Sequence, residues 1–150
     1  MLPVLNLNVG FNKRLPVLTQ YLNLEQAILA AISTQPGIGL AILFGSLAAG
    51  EGRVESDLDL AIDAGRRLAA TEKMALISEL AARTGRPIDL VDIQAVGEPL
   101  LGQILQHGKR ILGSDTRYAN LIRRHVFDQA DYLPYRNRIL AERRQAWIGK

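Results

Sequence analysis

The chain has no cysteine among its 150 residues. That excludes disulfide scaffolds, zinc fingers, iron–sulfur sites and thiol nucleophiles. Histidine is almost as scarce. Only His107 and His125 occur, too few for a histidine-rich metal site. No apolar run approaches the ~18 residues of a membrane span, so no membrane contact is expected. The opening residues, MLPVLNLNVGFNKR, lack the basic leader, apolar core and small-residue cleavage site of a secretory signal. A cytoplasmic protein is the resulting expectation.

What is present is ordinary in amount and uneven in placement. Hydrophobic residues make up 48% and charged residues 22%, the values of a soluble globular domain that folds without a staple. The formal net charge of +3 conceals an asymmetry. Residues 115–150 hold eight Lys/Arg against four acids, a charge of +4, while residues 1–114 sum to −1. A basic tail is either a solvated helix face or a docking surface for an acidic partner.

The patterning predicts a single domain over 1–150, with an N-terminal arm (1–23), a core (24–113) and a basic helical tail (114–150). In the arm, Leu5, Leu7 and Val9 alternate with Asn6 and Asn8, and Pro3 and Pro16 discourage a helix. Leu24, Ala27, Ile28, Ala31 and Ile32 fall at helical spacing, and Pro36-Gly37 ends that helix. The run IGLAILFG (38–45) predicts a buried strand, and one helical turn fits at Leu47–Gly50. DLDLAID (57–63) alternates strictly, with Asp57 and Asp59 opposite Leu58, Leu60 and Ile62. A helix over Thr71–Ala82, a strand over 87–93, a helix over Glu98–His107 and a strand at Arg110–Leu112 follow. From Asp115 the tail is helical, and Pro134 breaks or kinks it. Short strands interleaved with helices define an α/β or α+β domain, a small mixed sheet flanked by helices.

The chemistry concentrates in a few acids. Asp57 and Asp59, at i and i+2 on a strand, project from one face and raise each other's cost of ionisation. Carboxylate oxygens are the hard ligands that Mg²⁺ prefers. Alone, an Asp-x-Asp on a strand reads as a solvated polar face. Upstream, however, Gly45-Ser46 ends the preceding strand and can cradle an anion through backbone N–H groups. An anion cradle beside two metal-binding carboxylates suits a nucleoside triphosphate with its Mg²⁺. In IDLVDI, Asp89 shares a face with Val91 and Ile93, and an aspartate among apolar residues on a buried strand is costly unless paired or metal-bound. Asp89 can therefore close the metal site and act as general base. Asp92 is the competing candidate, and parity favours Asp89, leaving Asp92 as a polar cap at the strand's end.

The stretch LFGSLAAGEGRVESDLDL, with Gly45-Ser46 ten residues ahead of Asp57-x-Asp59 and a third Asp later, is similar to the signature of the DNA polymerase β-like nucleotidyltransferases. The compact body resembles their minimal members. The tail, ending YLPYRNRILAERR, resembles the MntA-like antitoxins that partner HEPN-domain toxins. The resemblance implies the polymerase β-like fold and transfer of AMP from ATP to a hydroxyl. It further implies that Asp57, Asp59 and Asp89 ligate two Mg²⁺ ions, Asp89 doubling as base, and that Gly45 and Ser46 bind phosphate. The implied acceptor is a tyrosine of a HEPN ribonuclease toxin, silenced by the modification. Many members carry an Arg just after the Gly-Ser. Here Leu47-Ala48-Ala49 follows, so that phosphate contact is missing unless Arg53 substitutes.

Other residues rank lower. Asp63 precedes Ala64-Gly65 and reads as a turn aspartate. Gly113-Ser114 lacks a following Asp-x-Asp and reads as a turn. His107 suits a helix C-terminus, and His125, among Arg123 and Arg124, has no evident catalytic partner. Two readings compete with the adenylylating antitoxin. One is an antitoxin that masks its toxin by binding alone. The other is a nucleotidyltransferase acting on a small molecule or an RNA end, for which 150 residues leave little room for a further substrate domain. Direct nucleic-acid binding is not expected.

Overall fold

The computed structural model describes residues 15–53 and 55–149. The alternation expected over 5–9 lies outside them. The elements are α1 (Leu15–Ser33), β1 (Leu40–Phe44), α2 (Gly45–Ala48), β2 (Leu58–Asp63), α3 (Ala70–Thr84), β3 (Ile88–Asp92), α4 (Leu100–His107), β4 (Lys109–Leu112) and α5 (Asp115–Ile148).

Three boundaries differ from expectation. Helix α1 starts at Leu15 rather than Leu24, so residues 15–23, assigned to the arm, are helical. Pro16 falls in its first turn, where an N–H would have no intrahelical acceptor, so it does not oppose the helix. The turn expected at Leu47–Gly50 begins at Gly45, directly off the end of β1. Helix α5 runs unbroken for 34 residues with Pro134 inside it. A proline removes one backbone donor, and the long helix outlasts that single lost bond.

The strands form one mixed sheet in the order β3-β2-β1-β4. β1 is antiparallel to both β2 and β4. β2 and β3 are parallel, and α3 makes the crossover that parallel neighbours require. Side-chain alternation sends each central strand into two cores. On one face, Ala41 and Leu43, then Leu58, Leu60 and Ile62, and Leu90 pack against Ile28, Ala31 and Ile32 of α1 and Leu76 and Leu80 of α3. On the other, Leu40, Ile42, Ala61 and Ile93 pack against Leu101 and Ile104 of α4 and Leu121 of α5. Asp59 has the parity of Ala61 and Asp89 that of Val91, so both acids belong to the α4 side.

The ends of the sheet are tied by polar groups. Asp92 is buried, and its carboxylate accepts from the N–H of Leu68 (2.8 Å) and of Gln94 (2.9 Å). It fastens the loop that enters α3, the capping role expected of it. Asp63 Oδ1 accepts from the N–H of Gly65 (2.7 Å) and from Gln94 Nε2 (2.9 Å), as a turn aspartate does. Ser114 caps α5, its hydroxyl accepting from the Arg117 N–H (3.2 Å). Beyond its first three turns α5 leaves the body, and Val126, Phe127, Tyr135, Leu140 and Trp147 are exposed.

At the start of α3, Glu72 Oε2 accepts from the Ala69 N–H (2.8 Å), while the carboxylate takes a two-pronged contact from Arg66 (2.7 and 2.9 Å). Ala69 has no acceptor to offer in return, so Glu72 alone caps this end. The Arg66 hydrogen bonds, then the Ala69 N–H, lower the Glu72 pKa to about 2. A depressed folded pKa gives stability that is present above the ordinary glutamate range and lost as pH falls through about 2. Glu72→Gln is therefore expected to lower Tm at pH 7, and the difference from the parent to shrink as pH falls toward 2. Thermal melts across that range check it, and a pH-independent gap would contradict it.

Candidate active site

The site forms where β1 ends beside β2. Phe44, the last residue of β1, is in register with Asp59 of β2, and Asp59 is in register with Asp89 of parallel β3. The turn of α2 and the Asp59 and Asp89 carboxylates thus occupy adjacent positions across three strands. Asp57 lies just ahead of β2, two residues before Asp59, on the same side by parity.

Gly45 is what permits this closeness. It adopts φ +70, a left-handed conformation that costs other residues about 1 kcal/mol or more. A Cβ on Gly45 would stand 2.1 Å from Asp59 Oδ2 and 2.9 Å from its Cγ. The Asp59 carboxylate therefore occupies the space of the missing side chain. The N–H groups of the first turn of α2 have no intrahelical acceptor, and Ser46 is exposed.

An open pocket of about 640 Å³ adjoins the turn, within the range of small-ligand sites. Phe44, Gly45, Ser46, Ala49, Glu51 and Asp59 line one side, and Leu100, Gln103 and His107 of α4 line the other. Spacing of three and four residues puts the last three on one stripe of α4. Sequence reasoning passed over them because His107 was weighed alone; the i, i+3, i+7 pattern was the signal available. Arg53, the sequence's alternative phosphate contact, does not line the pocket.

The electrostatics are those of crowded acids. Burial raises the Asp59 pKa, and the charges of Asp89 and Asp57 raise it further. Among the described residues no three acidic or histidine side chains already converge on one point. Asp57 and Asp89 are exposed, so the expectation of a buried, costly Asp89 is corrected: the acid buried on β3 is Asp92. The crowding at Asp59 comes instead from register. The donor set of three carboxylates, mutually repelling and without an ion pair among the described residues, fits a divalent ion.

His125 also departs from expectation. Its Nδ1 lies 2.5 Å from Glu98 Oε1, and both side chains are largely buried. Arg124 Nη2 donates to the Val96 carbonyl (2.6 Å). A methyl group on Gly102 would reach 2.8 Å from His125 Cε1. Together these contacts clamp the first turns of α5 onto α4, the wall of the pocket. The pairing spans 27 residues, so no local pattern announces it.

The family described as Polymerase beta, Nucleotidyltransferase matches residues 26–117. The chain belongs to that family and is a nucleotidyltransferase. Among curated proteins it is similar to the protein adenylyltransferase MntA of Shewanella oneidensis, 30% identical over 95 residues, covering 63% of this chain and 68% of the relative. Its fold is shared with a toxin–antitoxin crystallised with AMP-PNP, at TM-score 0.73 and 24% identity, covering 79% of this chain and 96% of that one. It is also shared with the MNT antitoxin complexed with a tri-AMPylated Shewanella oneidensis HEPN toxin, at TM-score 0.69 and 24% identity over 82% and 97%. Among the described residues no helix is long and apolar enough to cross a membrane.

Two outcomes follow from this geometry. Gly45→Ala forces a methyl group into the Asp59 carboxylate, and displacement on the ångström scale costs about 100-fold in rate. Nucleotidyl transfer by that variant is expected to fall by about that factor, measured at saturating nucleotide. Asp59→Asn acts oppositely on stability. A folded pKa above the unfolded one means that stability falls as pH rises through the raised pKa, and that the loss is complete above it. At pH 7 without divalent ions, Asp59→Asn is expected to raise Tm, and the gain to fade below about pH 4. A lower Tm at pH 7 would contradict this.

Proposed function

We propose that this chain is a Mg²⁺-dependent antitoxin that transfers AMP from ATP to a tyrosine hydroxyl of a cognate HEPN toxin. The observation that carries it is the Asp59–Asp89 register beside a glycine turn that only the absence of a side chain makes possible. The relatives support it, one being a protein adenylyltransferase and others antitoxins crystallised with a toxin. ATP as donor is also why we read the protein as cytoplasmic.

In this reading Asp57, Asp59 and Asp89 hold the divalent ions. When bound, such ions neutralise the triphosphate and stabilise the attacking and leaving oxygens. The free N–H groups at Gly45 and Ser46 take the phosphate oxygens, and Gln103 and His107 face the nucleotide from α4. Asp89, exposed at its strand's edge of the site, takes the proton from the incoming tyrosine hydroxyl. The phenolic oxygen then bonds to the α-phosphorus, the bond to the β-phosphate breaks, and pyrophosphate leaves in line. An exposed base suits a large acceptor, because a protein's tyrosine must reach it without entering a closed cavity.

The domain reading divides the labour. The body up to residue 113 carries the chemistry, and α5 holds the partner. α5 joins a +3 charge to exposed Val126, Phe127, Leu140 and Trp147, more apolar surface than a solvated helix needs. The same surface favours a second reading, in which docking alone masks the toxin.

One experiment separates them. The protein is incubated with labelled ATP, Mg²⁺ and the product of its neighbouring gene. Label is expected on a toxin tyrosine, lost by at least ~100-fold in the Asp57→Asn/Asp59→Asn double variant. Neutralisation that survives in the double variant without label establishes masking instead.

A further inference from the structure

Asp57 precedes β2 and is exposed, so strand pairing does not fix it. Its two flanking peptide groups are nevertheless both held, and by one segment. On the N-terminal side, Arg86 Nη1 donates to the Ser56 carbonyl (2.9 Å) and to the Arg53 carbonyl (2.8 Å). On the C-terminal side, the Leu58 N–H donates to the Pro87 carbonyl (2.8 Å). The loop is closed on itself as well: the Arg53 N–H donates to Ser56 Oγ (2.7 Å), and the Ser56 N–H to the Arg53 carbonyl (3.0 Å). Arg86 therefore grips a preformed turn whose last residue is followed directly by Asp57.

The gripping segment is short and well fixed. Gly85, at φ 67, ends α3 in the left-handed conformation, and its N–H donates to the Ala81 carbonyl (2.9 Å). Arg86 and Pro87 come next, then β3, with Asp89 two residues after Pro87. So one stretch, 86–89, ties down both sides of Asp57 and supplies Asp89 itself. The planar guanidinium suits this task. It is half-buried, stays charged, and one of its nitrogens, Nη1, donates to both carbonyls.

We propose that Arg86 is a positioning residue for Asp57, setting its spacing from Asp89 so that both carboxylates can meet one divalent ion. The proposal rests on the carboxylate reading of the site given above. Groups that orient metal ligands through hydrogen bonds are worth 10–100-fold in metal affinity when removed. Arg86 does not touch substrate in this account; its whole effect passes through Asp57.

The test is a Mn²⁺ titration of the full chain, with free Mn²⁺ read by electron paramagnetic resonance. Arg86→Gln is expected to weaken Mn²⁺ binding ~10-fold. Arg86→Lys, which keeps the charge but not the fork, is expected to fall between the two. In an Asp57→Asn background, Arg86→Gln is expected to cost nothing further. In transfer assays the Mg²⁺ concentration for half-maximal rate should rise, with KM for ATP unchanged at saturating Mg²⁺. Unchanged Mn²⁺ affinity in Arg86→Gln overturns the proposal, as does an equal loss with and without the Asp57 carboxylate. Should Arg86→Gln fail to fold, Arg86→Lys decides by the same two comparisons. If Asp57→Asn itself leaves Mn²⁺ binding unchanged, the carboxylate reading fails instead.

Discussion

The site depends on one close approach, the backbone of Gly45 against the carboxylate of Asp59. A side chain at Gly45 would lie 2.1 Å from Asp59 Oδ2. Removing that side chain lets β1 run to the edge of its neighbour and turn away at once, through a positive φ. The exposed N–H groups of the turn then lie beside the acids of the adjoining strands. Anion-binding and cation-binding groups share one small region only because nothing stands between them. Any residue larger than glycine would force a choice between the turn and the carboxylate.

The second constraint is electrical. Register puts Asp59 against Asp89, with Asp57 two residues away, and among the described residues no ion pair relieves them. The burden shows in the raised Asp59 pKa. Elsewhere the chain gives several of its acids partners. Asp92 accepts two backbone N–H groups, Asp63 accepts from Gly65 and Gln94, and Glu72 is held by Arg66 and Ala69. The contrast separates acids that serve the fold from acids that work against it. Stability is surrendered at one place, as functional sites commonly require.

Much of this was readable from residues alone, and the reason is parity. Alternation assigned Asp59 and Asp89 to one side of the sheet and Asp92 to the other, and the sheet keeps that division. Gly45-Ser46 was legible because glycine at a strand end has few other uses. What escaped notice depended on partners distant in sequence. His125 has no local partner until α5 brings it to Glu98, and nothing in the pattern around Arg86 points to the two carbonyls that it reaches. Pro16 and Pro134 misled because their effect depends on position within a helix that their neighbours define. Asp89 was assigned to the right side but to the wrong environment, since parity says which face a residue takes and not how deeply that face is covered.

The crossover through α3 has a consequence for how the site comes into being. The glycine turn and Asp59 sit at the end of the antiparallel pair β1–β2, neighbours in the chain whose pairing is local. Asp89 reaches them only after α3 has packed and β3 has docked in parallel, some thirty residues later. Asp59 and the cradle are thus products of a local pairing, and Asp89 of a long-range one. The cradle and the third acid thus rest on different contacts, the one on strands that adjoin in the chain, the other on the packing of α3 against the sheet.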